Sequence, residues 1–162
     1  TRMRGGQQLL LTGSLGTVLR ESAQAALSYV RSHADDFAID PDFFAESDIH
    51  IHIPAGAIPK DGPSAGVTMA LALISLLTGR PARRDVALTG ELTLNGRILP
   101  VSGIREKLLA AQRAGVKIVV FPSGNAVDVE SLPEEVKEGL QLVLAKDVSE
   151  LIDVVMPPTL GA

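Results

Sequence analysis

The sequence contains no cysteine and no tryptophan, and aromatic residues make up only 3% of its 162 residues. Without cysteine it can form no disulfide, no thiolate zinc site and no cysteine nucleophile, which fits a reducing compartment such as the cytoplasm. The core has to be built mainly from Leu, Val, Ile and Ala. The longest apolar run, Ala65–Leu77, is shorter than the roughly 20 residues that a membrane-spanning helix needs, so no membrane partner is expected.

The charge balance and the lack of a phosphate-binding loop exclude two further classes of function. The net charge of −4 argues against a nucleic-acid surface. No segment matches G-x-x-x-x-G-K-[ST], so the chain carries no nucleotide-binding loop of that type. With 46% hydrophobic and 21% charged residues, the composition is that of one globular domain.

Local patterns predict an α+β fold in which strands and helices mix without strict alternation. Alternating or continuous apolar runs indicate strands at 9–11, 47–53, 116–122 and 140–145. The stretch 86–101 is predicted to be a β-hairpin with a type I′ turn at Asn95-Gly96. Helical periodicity or helix signals appear at 17–34, 65–77, 104–114, 132–139 and from a capping box at Asp147 and Glu150 to Val155.

A single serine stands where the most apolar helix begins. Gly62 and Pro63 form a stiff turn before Ser64, and Pro63 suits the first helical position because its missing N–H costs nothing there. The helix that follows aims its unpaired N–H groups at its own N-terminus, where they can stabilise a developing oxyanion. Ser64 is therefore a candidate nucleophile.

One lysine falls on the apolar face of a predicted helix. On a helical wheel Lys107 lies between Ile104 and Ala111 on one side and Ala114 on the other. Burial lowers the pKa of a lysine, and a neutral amine can take the proton of a serine hydroxyl. A serine at a helix start also serves as an N-cap, and a lysine beside an apolar face also extends to water. The residues alone leave these interpretations open.

Two histidines on one strand face offer a weaker alternative. His50 and His52 alternate with Ile49, Ile51 and Ile53. A zinc site needs at least three ligands, and the sequence offers no thiolate to complete one. A role in packing or hydrogen bonding is the preferred interpretation, and a hydrolase that uses one of them as its base is the rival to the lysine.

Several motifs together resemble the proteolytic domain of Lon, the ATP-dependent protease family. They are LTGSLGTVLRESAQAALSYVRS at 11–32, HIHIP at 50–54, PKDGPSAG at 59–66 and TGELTLNGRILPVSGIREKLLAA at 89–111. The resemblance implies that Ser64 is the nucleophile, that Lys107 is the general base, and that the hydroxyl of Thr89 holds the lysine amine. Pro63 and Asp61 are supporting residues. Asp61 either solvates its loop or gates the site electrostatically, and we expect the gate.

The resemblance also implies an architecture and partners. We expect a compact α+β Lon protease domain at 9–156, an N-terminal remnant or linker at 1–8 and a C-terminal tail at 157–162. The expected activity is a serine endopeptidase that acts on unfolded or damaged proteins in the cytoplasm, as a homo-hexamer around an enclosed chamber. The domain itself needs no cofactor or metal, because ATP and Mg²⁺ are used by an ATPase module of the same polypeptide that lies outside this chain.

The sequence departs from the family pattern in two places, and one rival function remains to be weighed. Thr17 stands where an acidic residue is common, and a strand pair that usually precedes the domain is expected to be missing. The rival is a catalytically silent Lon-like module used for assembly or binding. Such a relative would be expected to lose the serine or the lysine, and both are present.

Overall fold

A small mixed sheet opens the chain. The structure is a computed structural model that describes residues 1–54 and 60–158. Strand β2 (Leu9–Gly13) runs parallel to β3 (Ser47–Ile53), and β1 (Arg2–Arg4) pairs with the other edge of β3 in antiparallel orientation. Residues 2–4, which the sequence places in a remnant or linker, are therefore an edge strand. The predicted limits of the protease domain and of the tail remain predictions, and residues 159–162 lie outside the described residues.

Two long helices form the main core together with this sheet. Helix α1 (Thr17–Ser32) packs on α2 (Gly66–Thr78), and it buries the predicted face with Leu19, Ala23, Ala26 and Val30. Helix α2 is buried over most of its surface, which explains why its sequence is a nearly continuous apolar run.

A parallel sheet separates this core from a second one. Its strands are β4 (Val86–Leu88), β7 (Ile118–Pro122) and β8 (Gln141–Ala145), with β7 in the centre. Alternate residues of β7 face opposite sides: Val120 packs in the main core, whereas Val119 and Phe121 pack with helix α3 (Ile104–Arg113). A strand covered on both faces has no polar side, so its apolar run is continuous as predicted.

The predicted hairpin is correct only in part. Its strands are the short β5 (Glu91–Leu92) and β6 (Ile98–Leu99), while Val86–Leu88 leaves the hairpin to pair with β7. The turn is not type I′, because that type needs a positive φ at both central residues and Asn95 has none. Instead the Gly96 N–H donates to Thr93 O, and Gly96 alone takes the left-handed conformation, with φ of 88°.

The remaining helices are short and complete the predicted α+β class. They are α4 (Ala126–Glu130), α5 (Glu134–Lys137) and α6 (Ile152–Val155), and a 3-10 turn at Val148–Leu151 leads into α6. Asp147 accepts a hydrogen bond from Ser149 N, and Glu150 accepts one from Lys146 N, a variation of the predicted capping box. No helix in the described ranges is long and apolar enough to cross a membrane.

Candidate active site

Ser64 and Lys107 line the same pocket. This catalytic pocket has a volume of about 420 Å³ and is mostly apolar. Its walls come from the start of α2, from β4, from one face of α3 and from β7. The lining residues are Ser64, Ala65, Thr68, Ala87, Leu88, Thr89, Lys107, Ala110, Ala111, Ala114, Val116 and Val119. The fold thus brings together two residues that lie far apart in the sequence and that the motifs assign to one site.

The serine lies on a 3-10 turn, Pro63–Ala65, directly before α2. Pro63 opens this turn, as the sequence predicts. The carbonyl oxygen of Ser64 accepts a hydrogen bond from Gly90 N at 2.9 Å, and Val67 N donates back to Gly90 O at 3.4 Å. A Cβ atom at Gly90 would lie only 2.4 Å from a methyl group of Ile98, so the packing of Ile98 on this segment favours glycine. The backbone of the serine is therefore clamped to the 89–90 segment.

Lys107 lies on the face of α3 that the periodicity predicts. Ala110, Ala111 and Ala114 line the same pocket beside it, and burial lowers the pKa of its amine. Its Nζ donates a hydrogen bond to Ser102 O at 3.0 Å. Within the described residues no hydrogen bond joins the side chains of Ser64 and Lys107, so in this conformation the two groups share a pocket without a direct hydrogen bond.

Thr89 is the most buried polar group of the pocket, with 6% of its surface exposed. Its hydroxyl donates to Ser64 O at 3.5 Å, and its N–H donates to Val120 O at 3.1 Å. The hydroxyl thus contacts the serine segment in this conformation. The role that the resemblance implies, holding the amine of Lys107, stays a prediction.

Asp61 is placed at the start of α1 and not among the residues of the catalytic pocket. Its carboxylate accepts hydrogen bonds from Leu19 N and Gly62 N, each at 2.9 Å. The N-cap residue of α1 is Gly16, which has no side chain, and a Cβ there would lie 2.2 Å from Asp61 Cγ. Asp61 therefore supplies from a distant loop the capping oxygen that Gly16 lacks. The structure does not bring it to the lysine, and the electrostatic gate stays a hypothesis.

The two histidines are tied to the neighbouring strand. The hydroxyl of Thr12 on β2 lies 2.7 Å from His50 Nε2 and 2.8 Å from His52 Nδ1. Neither ring lines the catalytic pocket. These contacts fit the preferred interpretation of hydrogen bonding between strands, and they place no imidazole beside Ser64.

A model of the Lon protease (S16) C-terminal proteolytic domain matches residues 1–158. The chain belongs to the Lon protease family. The resemblance inferred from the motifs is therefore confirmed, and it extends over nearly the whole chain.

Curated Lon proteases match the same region. The chain is 55% identical to "Lon protease 1" of Bacillus subtilis over 149 residues, which cover 92% of this chain and 19% of the relative. It is 55% identical to the Lon protease of Chloroflexus aggregans over 153 residues, or 94% of this chain and 19% of that one. For the Lon protease of Aquifex aeolicus the identity is 54% over 157 residues, or 96% and 20%. The chain thus spans about a fifth of the length of these relatives.

Two features of this Lon site were not found from the sequence. The amine of Lys107 donates its hydrogen bond to the backbone carbonyl of Ser102. Every residue has a backbone carbonyl, so the sequence does not mark this one as an acceptor. The apolar wall formed by β4 and β7 arises only when these strands pair. The apolar runs at 86–88 and 116–120 were a usable signal, but the predicted hairpin assigned the first of them to a different partner.

The cap made by Asp61 leads to a prediction with a matched pair of variants. We expect Asp61→Ala to lower the free energy of unfolding by about 1 kcal/mol, because the first turn of α1 loses its acceptor. Asp61→Asn keeps an acceptor oxygen and should lower the free energy of unfolding by only a few tenths of a kcal/mol. Urea denaturation of both variants measures the difference. An Asn variant that keeps its stability but shifts the pH profile of catalysis would instead support the electrostatic gate.

Proposed function

We propose that this chain is a serine endopeptidase domain that uses Ser64 as nucleophile and Lys107 as general base. The observation that carries the proposal is that both side chains line one mostly apolar pocket of a Lon proteolytic domain. The lowered pKa of the amine supports it, because only the neutral form of lysine can accept a proton.

The reaction proceeds through an acyl-enzyme. Ser64 Oγ attacks the peptide carbonyl carbon while Lys107 Nζ takes the hydroxyl proton. The tetrahedral intermediate collapses, the C–N bond breaks, and Lys107 returns the proton to the leaving amine. Water then attacks the Ser64 ester, with Lys107 again accepting a proton and passing it back to the serine oxygen. The products are a carboxylic acid and an amine, and the enzyme is regenerated.

Productive contact requires the lysine side chain to move. Lys107 Nζ has to exchange the carbonyl of Ser102 for the hydroxyl of Ser64, which rotation about its flexible side-chain bonds allows. The lining alanines leave room for this rotation. Substrate that fills the pocket excludes water and lowers the pKa of the amine further, which favours the neutral base.

The walls of the pocket indicate what kind of peptide is accepted. Leu88, Val116 and Val119 offer apolar surface, and no acidic side chain is among the described residues that line the pocket. We expect an apolar residue at the position next to the scissile bond. Such residues are buried in folded proteins and accessible in unfolded ones, which fits unfolded or damaged proteins as substrates.

The wider assembly is part of the same proposal. Since the chain spans about a fifth of its relatives, we propose that an ATPase module of the same polypeptide unfolds substrates with ATP and Mg²⁺ and feeds them to this domain. The full-length protein would form a homo-hexamer and act in the cytoplasm. The domain itself would bind neither metal nor nucleic acid.

The test is hydrolysis of short peptides by this chain alone. Fluorogenic peptides with Leu, Ala or Asp before the scissile bond are compared, with and without EDTA and without ATP. We expect cleavage that is fastest for the apolar residue and unaffected by EDTA, because a Ser–Lys pair needs no metal. Cleavage that EDTA abolishes, or that prefers Asp, would contradict the proposed site.

The surface predicts weak self-association of this chain alone. In the part of the chain that the structure describes, the exposed large apolar side chains are spread over different elements and turns: Met3, Val18, Leu76, Leu94, Leu99, Val127 and Leu144. Stable oligomer interfaces usually need a larger contiguous apolar area. Sedimentation velocity at low micromolar concentration should therefore show a monomer or a weak, concentration-dependent oligomer, and a stable hexamer would contradict this expectation.

A further inference from the structure

A second cavity, of about 550 Å³, shares no lining residue with the catalytic pocket. It lies between the C-terminal half of α1, the 3-10 turn at Asp35–Phe37, the end of α2 and the segment 147–153. Its wall combines apolar and acidic side chains, among them Ile74, Ile152, Asp36 and Asp147. We call it the acidic cavity.

Tyr29 lines the acidic cavity, and its hydroxyl has no hydrogen-bond partner among the described residues. The residue as a whole is only 2% exposed, and among the described residues no hydrogen bond involves its Oη atom. Every fully buried polar side-chain atom in the described ranges does have a partner, so the Oη atom of Tyr29 retains accessible surface, and Tyr29 lines this cavity. Buried tyrosine hydroxyls normally find a hydrogen-bond partner. The position indicates that the partner comes from whatever occupies the cavity.

Two carboxylates, those of Asp36 and Asp147, line the cavity together with Tyr29. Burial, Asp147 and Asp36 together raise the pKa of Tyr29 to about 12, so both negative charges act on the phenol. One oxygen of Asp147 accepts hydrogen bonds from the N–H and the hydroxyl of Ser149, which leaves the other oxygen available. Asp36 makes no side-chain hydrogen bond to the rest of the described chain. The cavity thus presents two carboxylates, each with an oxygen atom that accepts no hydrogen bond from the described residues.

The basic side chains that line the cavity, Arg80 and His33, are engaged with other groups. Arg80 is paired with Asp153 at 3.1 Å and also donates to the carbonyl of Met156. His33 packs its ring on Tyr29, at 4.5 Å between centroids, and its Nδ1 lies 2.9 Å from Ser32 Oγ. Neither group forms a hydrogen bond or an ion pair with the two free carboxylates.

We propose that the acidic cavity binds an organic cation, whose ammonium or guanidinium group lies between Asp36, Asp147 and the hydroxyl of Tyr29. The carboxylates accept charge-assisted hydrogen bonds from its N–H groups, and the phenol oxygen accepts a further one. Ile74 and Ile152 cover the alkyl part of the ligand. The cation is either a free amine or a lysine or arginine side chain of a second copy of this chain, and the chemistry of recognition is the same.

The cavity carries its own spectroscopic reporter. Tyr29 is the only tyrosine and the sequence has no tryptophan, so tyrosine fluorescence of the chain reports this cavity alone. The chain is titrated with 1,4-diaminobutane and with agmatine at low ionic strength, and with the uncharged 1,4-butanediol as control. We expect saturable binding of both amines with a dissociation constant of about 1 mM or below, and no response to the diol.

Charge-neutral variants show where the amine binds. Asp36→Asn and Asp147→Asn should each weaken binding about tenfold, which corresponds to losing one charge-assisted hydrogen bond. Asn at position 147 keeps an oxygen for Ser149, so the local cap survives. Glu130→Gln removes the same charge from an exposed site outside the cavity and should leave binding unchanged. These readouts do not depend on peptidase activity, so they can fail or succeed independently of the proposed function.

Three outcomes decide the proposal. Saturable amine binding that the two Asn variants weaken supports a free-amine site. A Tyr29 signal that depends on protein concentration without added amine, and that both Asn variants abolish together with self-association, supports a side chain of a second copy. No saturation by about 100 mM amine, a hundredfold above the expected constant, together with a concentration-independent signal, overturns the proposal.

Discussion

Ser64→Ala is expected to abolish peptide hydrolysis and to leave the fold intact. Loss of a serine nucleophile removes the covalent route, and we expect kcat to fall on the order of 10⁴-fold or more. The fold should survive because the side chain of Ser64 forms no hydrogen bond to the described residues, and alanine is well tolerated at a helix start turn. The measurement combines peptide hydrolysis with thermal unfolding of the same samples.

A serine on another helix provides the control for this variant. Ser22 on α1 donates its hydroxyl to Val18 O, one turn earlier, and does not line the catalytic pocket. Ser22→Ala should keep full activity. If a pure sample of Ser64→Ala hydrolysed peptide within about 100-fold of the wild-type rate, Ser64 would be removed from the mechanism.

Lys107→Arg is expected to be as inactive as Lys107→Ala. Arginine keeps the positive charge and the length of the side chain, but it does not lose its proton in proteins and so cannot act as a base. A lysine that only fills space beside Ala111 and Ala114 would be replaced far better by Arg than by Ala. Lys117→Arg, at an exposed position outside the pocket, is the control and should leave the rate unchanged.

The pH dependence of peptide hydrolysis by the unmutated chain also tests Lys107 as the proposed base. Burial places the pKa of Lys107 below its ordinary value of 10.5, and the proposed mechanism uses the neutral amine. Activity should therefore rise with pH through this lowered pKa and level off above it.

Activity of the Lys107→Arg variant within about tenfold of wild type, a barrier change of roughly 1.4 kcal/mol, would exclude the lysine as base. The search for the base would then move to His50 and His52.

The sequence predicts the elements that bury one face, because the spacing of apolar residues within the element reveals that face. Helix α1 shows its buried face at a spacing of three and four residues, and β3 alternates because one of its faces is covered. Strand β1 has three exposed residues and pairs with Ser47–Ile49, far along the chain, so nothing in its own sequence marks it. The hairpin prediction failed at Val86–Leu88 for the same reason, since only the distant β7 shows that these residues belong to another sheet.

The same contrast between local patterns and long-range packing applies to the candidate site. Helical periodicity placed Lys107 on the inward face, and the apolar run after Pro63 placed Ser64 at a helix mouth. These residues line one pocket because of long-range packing. The family motifs predicted that they belong to one site, whereas local patterns could not. The partner of Asp61 is the N–H of Leu19, 42 residues earlier, and a backbone N–H has no sequence signature. Contacts of side chains with a distant backbone are therefore visible only in the structure.

Covalent labelling tests the Ser64–Lys107 pair most directly. A peptidyl diphenyl phosphonate with leucine at the reactive end transfers its phosphorus to an activated serine oxygen and releases phenol. Intact mass and peptide mapping then identify the modified residue. We predict one adduct per chain, on Ser64, formed faster as the pH rises and absent in Lys107→Arg. Modification of another residue, or labelling of Ser64 at the wild-type rate in Lys107→Arg, would contradict the proposed mechanism.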